Sequence, residues 1–175
     1  MRALLQRVTS ASVVATAGGE SLGAIGAGLV ALIGIERGDT TRDAEWLVSR
    51  VRACRLWDGA DGRAWGASAS SLGLPILCVS QFTLHADCRK PKPSFSRAAA
   101  AVEARTLYET FMDIMISSHG RELVEQGRFQ EMMAVSLVND GPVTCIIDSR
   151  RDLGGGSASS ATDSVTPQTN DEVHE

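Results

Sequence analysis

Asn139-Asp140-Gly141-Pro142-Val143-Thr144 places a Gly-Pro step between two apolar runs that have the composition of β-strands. Proline has no N–H and a fixed φ, so it fits poorly inside a central strand. An X-Pro amide can also be cis at a cost of about 0.5–1 kcal/mol, against about 3 kcal/mol for other residues. Gly141-Pro142 is therefore the candidate for a cis bond. On its own, the window predicts a type I or II turn between strands at residues 135–138 and 143–147.

A second segment, Ser80-Gln81-Phe82-Thr83-Leu84, follows the apolar, strand-like run at residues 75–79. It ends that run with three side chains that can form hydrogen bonds. We expect one strand over residues 75–84. In this strand Phe82 would alternate to the opposite face and pack in the core.

The two segments, in this order and at this spacing, resemble the motifs Ser-Gln-Phe-Thr-Leu and Asn-x-Gly-Pro-Val-Thr of the D-aminoacyl-tRNA deacylase (D-tyrosyl-tRNA deacylase) family. The resemblance runs from Met1 to about Asp148. It also covers Met1-Arg2-Ala3, Gln6-Arg7-Val8, Pro93-Ser94-Phe95, Gly127-Arg128-Phe129 and Met133. It implies a single α/β domain with a β/β/α layered fold, a tight homodimer and no cofactor. It also implies hydrolysis of the ester bond of D-aminoacyl-tRNA, and of glycine mischarged on tRNA, in chirality proofreading.

Composition limits the chain to one domain and argues against a large nucleic-acid-binding surface. With 175 residues, 43% of them hydrophobic, the chain can bury one core and is too short for two. The formal net charge is −4, and without the two arginines and five acids of residues 150–175, residues 1–149 carry 15 cationic and 16 anionic side chains. A nearly neutral body has no broad basic field, so any RNA contact should be local.

Cysteine and N-terminal patterns favour a reduced, cytoplasmic protein. Cys54, Cys78, Cys88 and Cys145 form no C-x-x-C pair and have no histidine at metal-ligand spacing, which argues against a zinc site and a disulfide framework. The first residues lack the unbroken apolar stretch of a signal peptide, and the apolar run at residues 29–35 is too short to cross a bilayer. We expect no metal and no membrane segment.

Apolar periodicity and cap signals predict the remaining elements. They are strands at residues 2–8, 12–16, 20–25 and 29–35, a helix from the caps Asp39-Thr40-Thr41 to Cys54, a loop at residues 58–71, and a helix at residues 97–118 between Ser96 and Gly120. A D-aminoacyl-tRNA deacylase domain would thus occupy residues 1–149. Residues 150–175 are rich in Gly, Ser, Thr and acids, so we expect a disordered tail, and prefer an inert extension to an interaction segment.

The resemblance places the chemistry at Ser80, Gln81 and Thr83. Ser80 and Gln81 would lie where backbone N–H groups and side chains can surround the substrate carbonyl. Thr83 has no evident base beside it in sequence, so a supporting or water-positioning role is preferred to that of a nucleophile. A Ser-His-Asp triad would rest on His85 alone, which we interpret as a loop histidine. A thiol or serine hydrolase of small esters therefore lacks a base.

The resemblance also implies a chiral gate at the Gly141-Pro142 step. Held cis, its two carbonyl oxygens would enter the partner subunit's site, accept hydrogen bonds from the substrate ammonium and leave no room for an L side chain. Arg7 matches the family arginine that braces this loop; without the resemblance it would be a surface arginine on an edge strand. Phe129 and Met133 match family residues around the terminal adenine. An aromatic face and a thioether are well suited to contact with such a base.

The segment Arg89-Lys90-Pro91-Lys92, extended to Arg97 without an acid, is the candidate for phosphate contacts with the acceptor end of tRNA. A solvated charge run is the alternative. The family usually has a glycine and about one more residue in this loop, whereas Pro91 stiffens it here. A second hypothesis for the whole chain is a nucleic-acid-binding scaffold of the same fold whose tail recruits partners. The two intact motifs favour the enzyme.

Overall fold

Strand β1 organises the fold, because it pairs with three other strands along its length. The computed structural model describes residues 1–153. Within them the strands are β1 (Arg2–Ala15), β2 (Ser21–Ile25), β3 (Gly28–Gly34), β4 (Arg55–Trp57), β5 (Ala67–Ser68), β6 (Ile76–Ser80), β7 (Val124–Gln126) and β8 (Met133–Asp148). The helices are α1 (Thr41–Ala53), α2 (Ala69–Leu72), α3 (Ala101–His119) and α4 (Ser149–Leu153), with 3₁₀ turns at Phe82–His85 and Arg121–Leu123.

The main sheet combines antiparallel and parallel pairs. β3 pairs with residues 2–8 of β1 and β2 with residues 11–14, both antiparallel, while β8 runs antiparallel along nearly all of β1. β6 lies parallel to β3, and β7 parallel to β6. β2 and β7, at the two ends of the strand order, contact each other, so the sheet is nearly closed. The domain is therefore of the mixed α/β class, and the predicted hairpin that ends in residues 20–25 is confirmed.

The quoted segment at residues 139–144 lies within β8 and does not join two strands. Both arms of β8 pair with β1, since Asn139 lies opposite Val8 and Thr144 lies opposite Gln6. Residues 140–143 therefore stand opposite Arg7 alone and protrude as a wide bulge. The predicted turn between two separate strands is wrong, because β1 is long enough to pair with both arms in line.

Two apolar clusters pack against the faces of the sheet. The larger joins α1 and α3 to one face and includes Leu47 and Phe111, both fully buried. The smaller lies on the other face and includes Val13 and Leu77. Burial of each such side chain stabilises the fold by about 1.5–3 kcal/mol. The predicted apolar face of α1 is confirmed by the buried side chains of Ala44, Leu47, Val48 and Val51.

Helix α3 begins at Ala101, four residues later than predicted. Residues 97–99 form β-type hydrogen bonds with residues 35–37, with N···O distances of 3.0 Å. This pairing holds the backbone extended, so the Ser96 hydroxyl caps no helix. The helix ends at Gly120, as predicted.

Shorter elements occupy segments that were predicted as loop or strand. The predicted loop at residues 58–71 contains β5 and most of α2, and the predicted strand at residues 75–84 ends at Ser80. The predicted domain end at residue 149 falls within α4, where Arg150 Nε lies 3.1 Å from Asp39 Oδ1. The rest of the tail, residues 154–175, lies outside the described residues, so its disorder stays a prediction.

Candidate active site

The first motif begins where β6 ends. The Gln81 N–H donates a hydrogen bond to the Ile33 carbonyl at 2.7 Å, after which the chain turns into a 3₁₀ helix. This turn directs Phe82 outward, with 57% of the residue exposed and its ring meeting the Phe95 ring edge to face at a centroid distance of 5.0 Å. The prediction that Phe82 packs in the core is wrong, because strand alternation stops at Ser80.

A cavity of about 690 Å³ opens beside this turn, a volume typical of small-molecule sites. Its walls come from the end of β6, the segment before α3 and the segment that leads into β8. The lining includes Ser80, Gln81, Phe82, Phe95, Ala100, Phe129, Met133 and Val135. The cavity therefore brings Ser80 and Gln81, which are adjacent in sequence, together with Phe129 and Met133 from a segment far along the chain.

Thr83 lies beside the cavity and not in its wall. Its hydroxyl is exposed and accepts a hydrogen bond from the Gln81 side-chain amide at 2.5 Å. His85 is only 1% exposed, and its ring packs so closely on Gly34 that a Cβ there would lie 3.1 Å away. Burial lowers the pKa of His85, so the ring is neutral near pH 7. The interpretation of His85 as a loop histidine is therefore wrong. Its ring is buried in the protein, whereas the hydroxyl of Thr83 faces solvent.

Phe129 is a half-buried ring held by two neighbours. The Arg105 guanidinium lies 4.9 Å from its centroid, and the Tyr108 ring centroid lies 5.6 Å away. The Met133 sulfur accepts a hydrogen bond from the Arg128 N–H at 3.3 Å. This segment therefore presents an aromatic face and a thioether to the cavity, both suited to a planar base. Arg105 was not expected from the sequence, because the sequence predicted its helix from apolar periodicity and gave no role to the polar side chains on it.

The base of the bulge in β8 is closed by the Asn139 side chain. Its oxygen accepts hydrogen bonds from the Gln6 side-chain amide at 2.9 Å and from the Thr144 hydroxyl at 3.3 Å. The Gly141-Pro142 peptide at the tip is cis. Sequence reasoning assigned no role to Asn139 or Thr144, although both belong to the quoted motif.

The tip of the bulge requires glycine and rests on an arginine. Gly141 has a φ of +109°, and a Cβ there would lie 2.7 Å from Val143 Cγ2. Arg7 Nη1 donates to the Leu56 carbonyl at 2.6 Å, while Arg7 Nε lies 2.9 Å from Asp140 Oδ2 as an ion pair without hydrogen-bond alignment. Arg7 thus links the Gly-Pro loop to the segment that follows α1.

The two motifs do not meet within one chain. Ser80 lies opposite Ile33, and Ile33 lies opposite Ala3, so β3 and β1 separate the end of β6 from β8. In the described structure, none of residues 139–144 lines the cavity beside Ser80. The Gly-Pro loop therefore does not reach the cavity of its own chain.

The predicted phosphate-binding segment is only partly available. Arg89 hydrogen-bonds Asp87 at 2.9 Å, which lowers the pKa of Asp87 to about 2. Arg97 turns inward to a buried glutamate at 2.8 Å. Across residues 1–153, Lys90 and Lys92 have no carboxylate within ion-pair distance. The two lysines are therefore the cations of this segment that can meet a phosphate.

Residues 1–153 contain no group of three or more His, Cys, Asp or Glu side chains that could hold a metal ion. No helix in this part of the chain is long and apolar enough to cross a membrane. Independence of metal stays a prediction.

Comparison with known proteins gives one consistent family. The sequence profile described as D-Tyr-tRNA(Tyr) deacylase matches residues 4–148. A D-aminoacyl-tRNA deacylase of Desulfitobacterium hafniense (strain DSM 10664 / DCB-2) is 47% identical over 155 residues, which cover 87% of this chain and 100% of that protein. A D-aminoacyl-tRNA deacylase of Drosophila melanogaster is 41% identical over 149 residues, which cover 85% of this chain and 92% of that protein.

Solved structures agree on the fold. The c-Myc DNA Unwinding Element Binding Protein is 38% identical with a TM-score of 0.81, covering 85% of this chain and 99% of that chain. A probable eukaryotic D-amino acid tRNA deacylase has a TM-score of 0.72 at 14% identity, covering 83% and 97%, and shows the shared fold alone. With the family profile matching nearly the whole described domain, the chain belongs to the D-Tyr-tRNA(Tyr) deacylase family.

Proposed function

We propose that this protein hydrolyses the ester bond of D-aminoacyl-tRNA, and of glycine mischarged on tRNA, and releases the free amino acid and tRNA. The cavity that joins Ser80 and Gln81 to Phe129 and Met133 carries this proposal. Membership of the family supports the same activity. The reaction would take place in the cytoplasm, where charged tRNA is used for translation.

The terminal adenine of the tRNA is proposed to lie against Phe129 and Met133. The Arg105 guanidinium behind Phe129 holds the ring in place, so its free face is available for stacking. Stacking of a base on an aromatic ring contributes about 1–3 kcal/mol. This binding would place the ester at the end of the acceptor strand near the turn that follows Ser80.

Backbone N–H groups, more than side chains, are proposed to polarise the ester carbonyl. The Gln81 N–H is already bonded to Ile33, whereas the first N–H groups of a 3₁₀ helix, here from Phe82, have no acceptor within the helix. A water oxygen then bonds to the carbonyl carbon, the ester C–O bond breaks, and the ribose oxygen takes up a proton. Gln81 and Thr83, which are hydrogen-bonded to each other, would orient that water.

The Gly-Pro loop is proposed to serve the cavity of a second copy of the chain in a homodimer with the β/β/α layered fold of the family. Two observations support this arrangement. The loop does not line the cavity of its own chain, and β8 is an edge strand on which Val138 is 58% and Ile146 is 50% exposed. Apolar side chains on an unpaired edge suit contact with another copy.

This loop would distinguish D- from L-aminoacyl esters without distinguishing one amino-acid side chain from another. The backbone carbonyl oxygens of Gly141 and Pro142 would accept hydrogen bonds from the substrate α-ammonium, a group that all aminoacyl esters share. With the ammonium held there, an L side chain would point into the loop, whereas a D side chain would point away. Glycine has no side chain to exclude, so it would also be cleaved.

Contacts to the acceptor-end phosphates are proposed at Lys90 and Lys92, which belong to an exposed loop. Apart from these two lysines, no feature of the described residues favours the alternative hypothesis, a nucleic-acid-binding scaffold without catalysis. The c-Myc DNA Unwinding Element Binding Protein is named for DNA binding, but that name describes the relative and not this chain. Binding of tRNA without cleavage would support the scaffold.

The deciding experiment measures deacylation of the same tRNA charged with a D-amino acid, its L-enantiomer or glycine. We expect the D-ester and glycyl ester to be cleaved, and the L-ester to be cleaved at least about 100-fold more slowly, because a steric exclusion of this kind costs several kcal/mol. Activity should persist in a chelator. Equal cleavage of both enantiomers would disprove the chiral gate, and loss of activity in the chelator would disprove the metal-free reaction.

A mixed dimer tests whether the loop acts across subunits. One chain carries Gly141→Ala, which alters the loop, and the other carries Phe129→Ala, which alters the cavity. If the loop acts on the partner's cavity, each heterodimer has one site with both changes and one site with neither. About half of the wild-type kcat/KM per dimer should then return. If the kcat/KM of the heterodimers stays as low as in the two mutant homodimers, the loop acts within its own chain.

A further inference from the structure

The 3₁₀ turn at Phe82–His85 is held at both ends by contacts with other elements. At its start the Gln81 N–H donates to the Ile33 carbonyl at 2.7 Å. At its end the Leu84 carbonyl accepts a hydrogen bond from Arg2 Nη1 at 2.6 Å. Among the described residues, Arg2 is the only hydrogen-bond donor to this carbonyl. The position of the turn therefore depends on a side chain that lies 82 positions earlier in the chain.

The guanidinium of Arg2 is itself oriented by a carboxylate. Arg2 Nε and Nη2 both donate to Asp148 Oδ2, at 2.8 and 2.7 Å. The two residues lie opposite each other on β1 and β8, and their side chains are only 26% and 12% exposed. Because the guanidinium is planar, the two bonds to Asp148 direct the remaining nitrogen, Nη1, at the Leu84 carbonyl. One side chain thus joins β1, β8 and the turn.

This turn carries the N–H groups that the proposed function assigns to the ester carbonyl. Its first internal hydrogen bond is donated by the Leu84 N–H to the Gln81 carbonyl at 3.3 Å. Within the described part of the chain, the N–H groups of Phe82 and Thr83 have no backbone acceptor. Such donors stabilise an oxyanion when they lie about 2.7–3.1 Å from it. A shift of the Leu84 carbonyl would move both N–H groups out of that range.

Arg2 is placed to act through the turn and not on the substrate. Each of its three guanidinium nitrogens donates to a protein group. In the described structure Arg2 does not line the cavity beside Ser80. Any effect of Arg2 on the reaction is therefore expected to pass through the position of the turn.

We propose that Arg2 is a positioning residue for ester hydrolysis, a role that rests on the proposed deacylase function. It holds the turn so that the N–H groups of Phe82 and Thr83 meet the ester carbonyl oxygen. The cavity wall at Phe129 and Met133, where the adenine is proposed to bind, has no contact with Arg2. Loss of Arg2 should therefore slow the chemical step and leave substrate binding unchanged.

The test measures kcat and KM of the full-length protein for D-aminoacyl-tRNA, well below the Tm of each variant. Arg2→Met keeps the length of the side chain and removes its donors. We expect kcat to fall by about 100-fold or more, the effect of losing an oxyanion donor, with KM within about threefold of wild type. Arg2→Lys keeps the charge without the planar fork, so it should recover only part of this loss.

Free guanidinium gives a second measurement. Arg2→Ala leaves a space that this ion can enter between Asp148 and the Leu84 carbonyl. Guanidinium chloride at about 0.05 M, far below the molar concentrations that unfold a domain, should raise kcat of Arg2→Ala by about 10-fold. The same concentration of sodium chloride should not. A purely structural role would lower the Tm and give no such recovery in protein that is already folded.

Arg150→Met is the matched control. The Arg150 guanidinium also joins separate elements, because it lies 3.1 Å from Asp39 Oδ1 and donates to the Arg37 carbonyl. It forms no hydrogen bond with the described residues of the turn. Arg150→Met should therefore lower the Tm and leave kcat unchanged.

The outcomes separate this role from the deacylase function itself. A wild-type kcat in Arg2→Met, an equal loss of kcat in Arg150→Met, or no recovery of Arg2→Ala by guanidinium overturns the positioning role. If Arg2→Met does not fold, as judged by its Tm, Arg2→Lys and the guanidinium recovery of Arg2→Ala decide the question. Absence of cleavage by the wild-type protein would instead disprove the deacylase function.

Discussion

The two motif regions are held in place by different forces. The first begins at the end of β6, a strand that lies between β3 and β7 and whose residues up to Val79 are buried. The second leaves the edge strand β8 and is held by side chains, chiefly Asn139 and Arg7. Packing thus fixes the cavity, whereas polar contacts and backbone conformation fix the loop. Changes in the loop should affect activity far more than stability, and changes in the cavity wall should affect both.

Gly141→Ala should cause the largest loss of activity. Its φ of +109° and the 2.7 Å contact of a new Cβ with Val143 Cγ2 would displace the loop tip. A displacement of about 1 Å can cost about 100-fold in rate, so we expect at least that loss in kcat/KM for D-aminoacyl-tRNA. The Tm should fall by no more than about 10 °C, since a side chain held at such a φ costs about 1–3 kcal/mol.

Gly18→Ala is the matched control for this change. Gly18 also has a positive φ, +90°, but a Cβ there meets nothing within 4 Å. It should show a fall in Tm of similar or smaller size with unchanged activity. If Gly141→Ala unfolds the protein, or if Gly18→Ala loses as much activity, the loop is not a region that affects activity far more than stability.

Phe129→Ala should weaken both activity and stability, as expected for the cavity wall. Loss of base stacking worth about 1–3 kcal/mol should raise KM by about 30-fold. The Tm should fall as well, because the ring packs between Arg105 and Tyr108. Phe129→Tyr keeps the aromatic face and should stay within about threefold of wild type in KM. A normal KM in Phe129→Ala would show that the adenine does not bind at this wall of the cavity.

A double variant, Lys90→Ala with Lys92→Ala, should have a smaller effect that depends on salt. Removal of two phosphate contacts should reduce the slope of log Kd against log salt concentration by about 1–2. The Tm should not change, because both side chains are exposed. Arg63→Ala removes a cation from another exposed loop, one that does not line the cavity, and should leave the slope unchanged. Equal slopes in all three proteins would place the tRNA elsewhere.

Thr83→Val should have the smallest effect on the reaction. It removes the hydroxyl that accepts the Gln81 hydrogen bond and keeps the shape of the side chain. A water-positioning role predicts a loss of less than about 10-fold in kcat, whereas loss of a nucleophile costs about 10⁴-fold or more. Single-turnover kinetics of the D-ester would measure it. A loss of the larger size would make Thr83 the nucleophile.

Local sequence patterns were sufficient for elements whose partners lie nearby. The caps and apolar spacing of α1, the glycine that ends α3 and the β1–β2 hairpin all depend on residues within a few positions of one another. The apolar run at residues 75–79 was likewise recognised as a strand, although the strand ends at Ser80 and not at residue 84. Resemblance of the motifs to a known family supplied the activity and the proposed roles of Phe129 and Met133.

Tertiary structure decided what lies opposite each segment. β1 aligns both arms of β8, so the Gly-Pro step becomes a bulge; residues 35–37 hold residues 97–99 extended and delay α3. Phe82 is exposed because the chain turns once Gln81 has bonded to β3. The sequence by itself determined the local elements, the motifs and the near-neutral charge. Only the folded chain brought Arg7 to Leu56 and Gln6 to Asn139, because the energy of such contacts depends on partners distant in sequence.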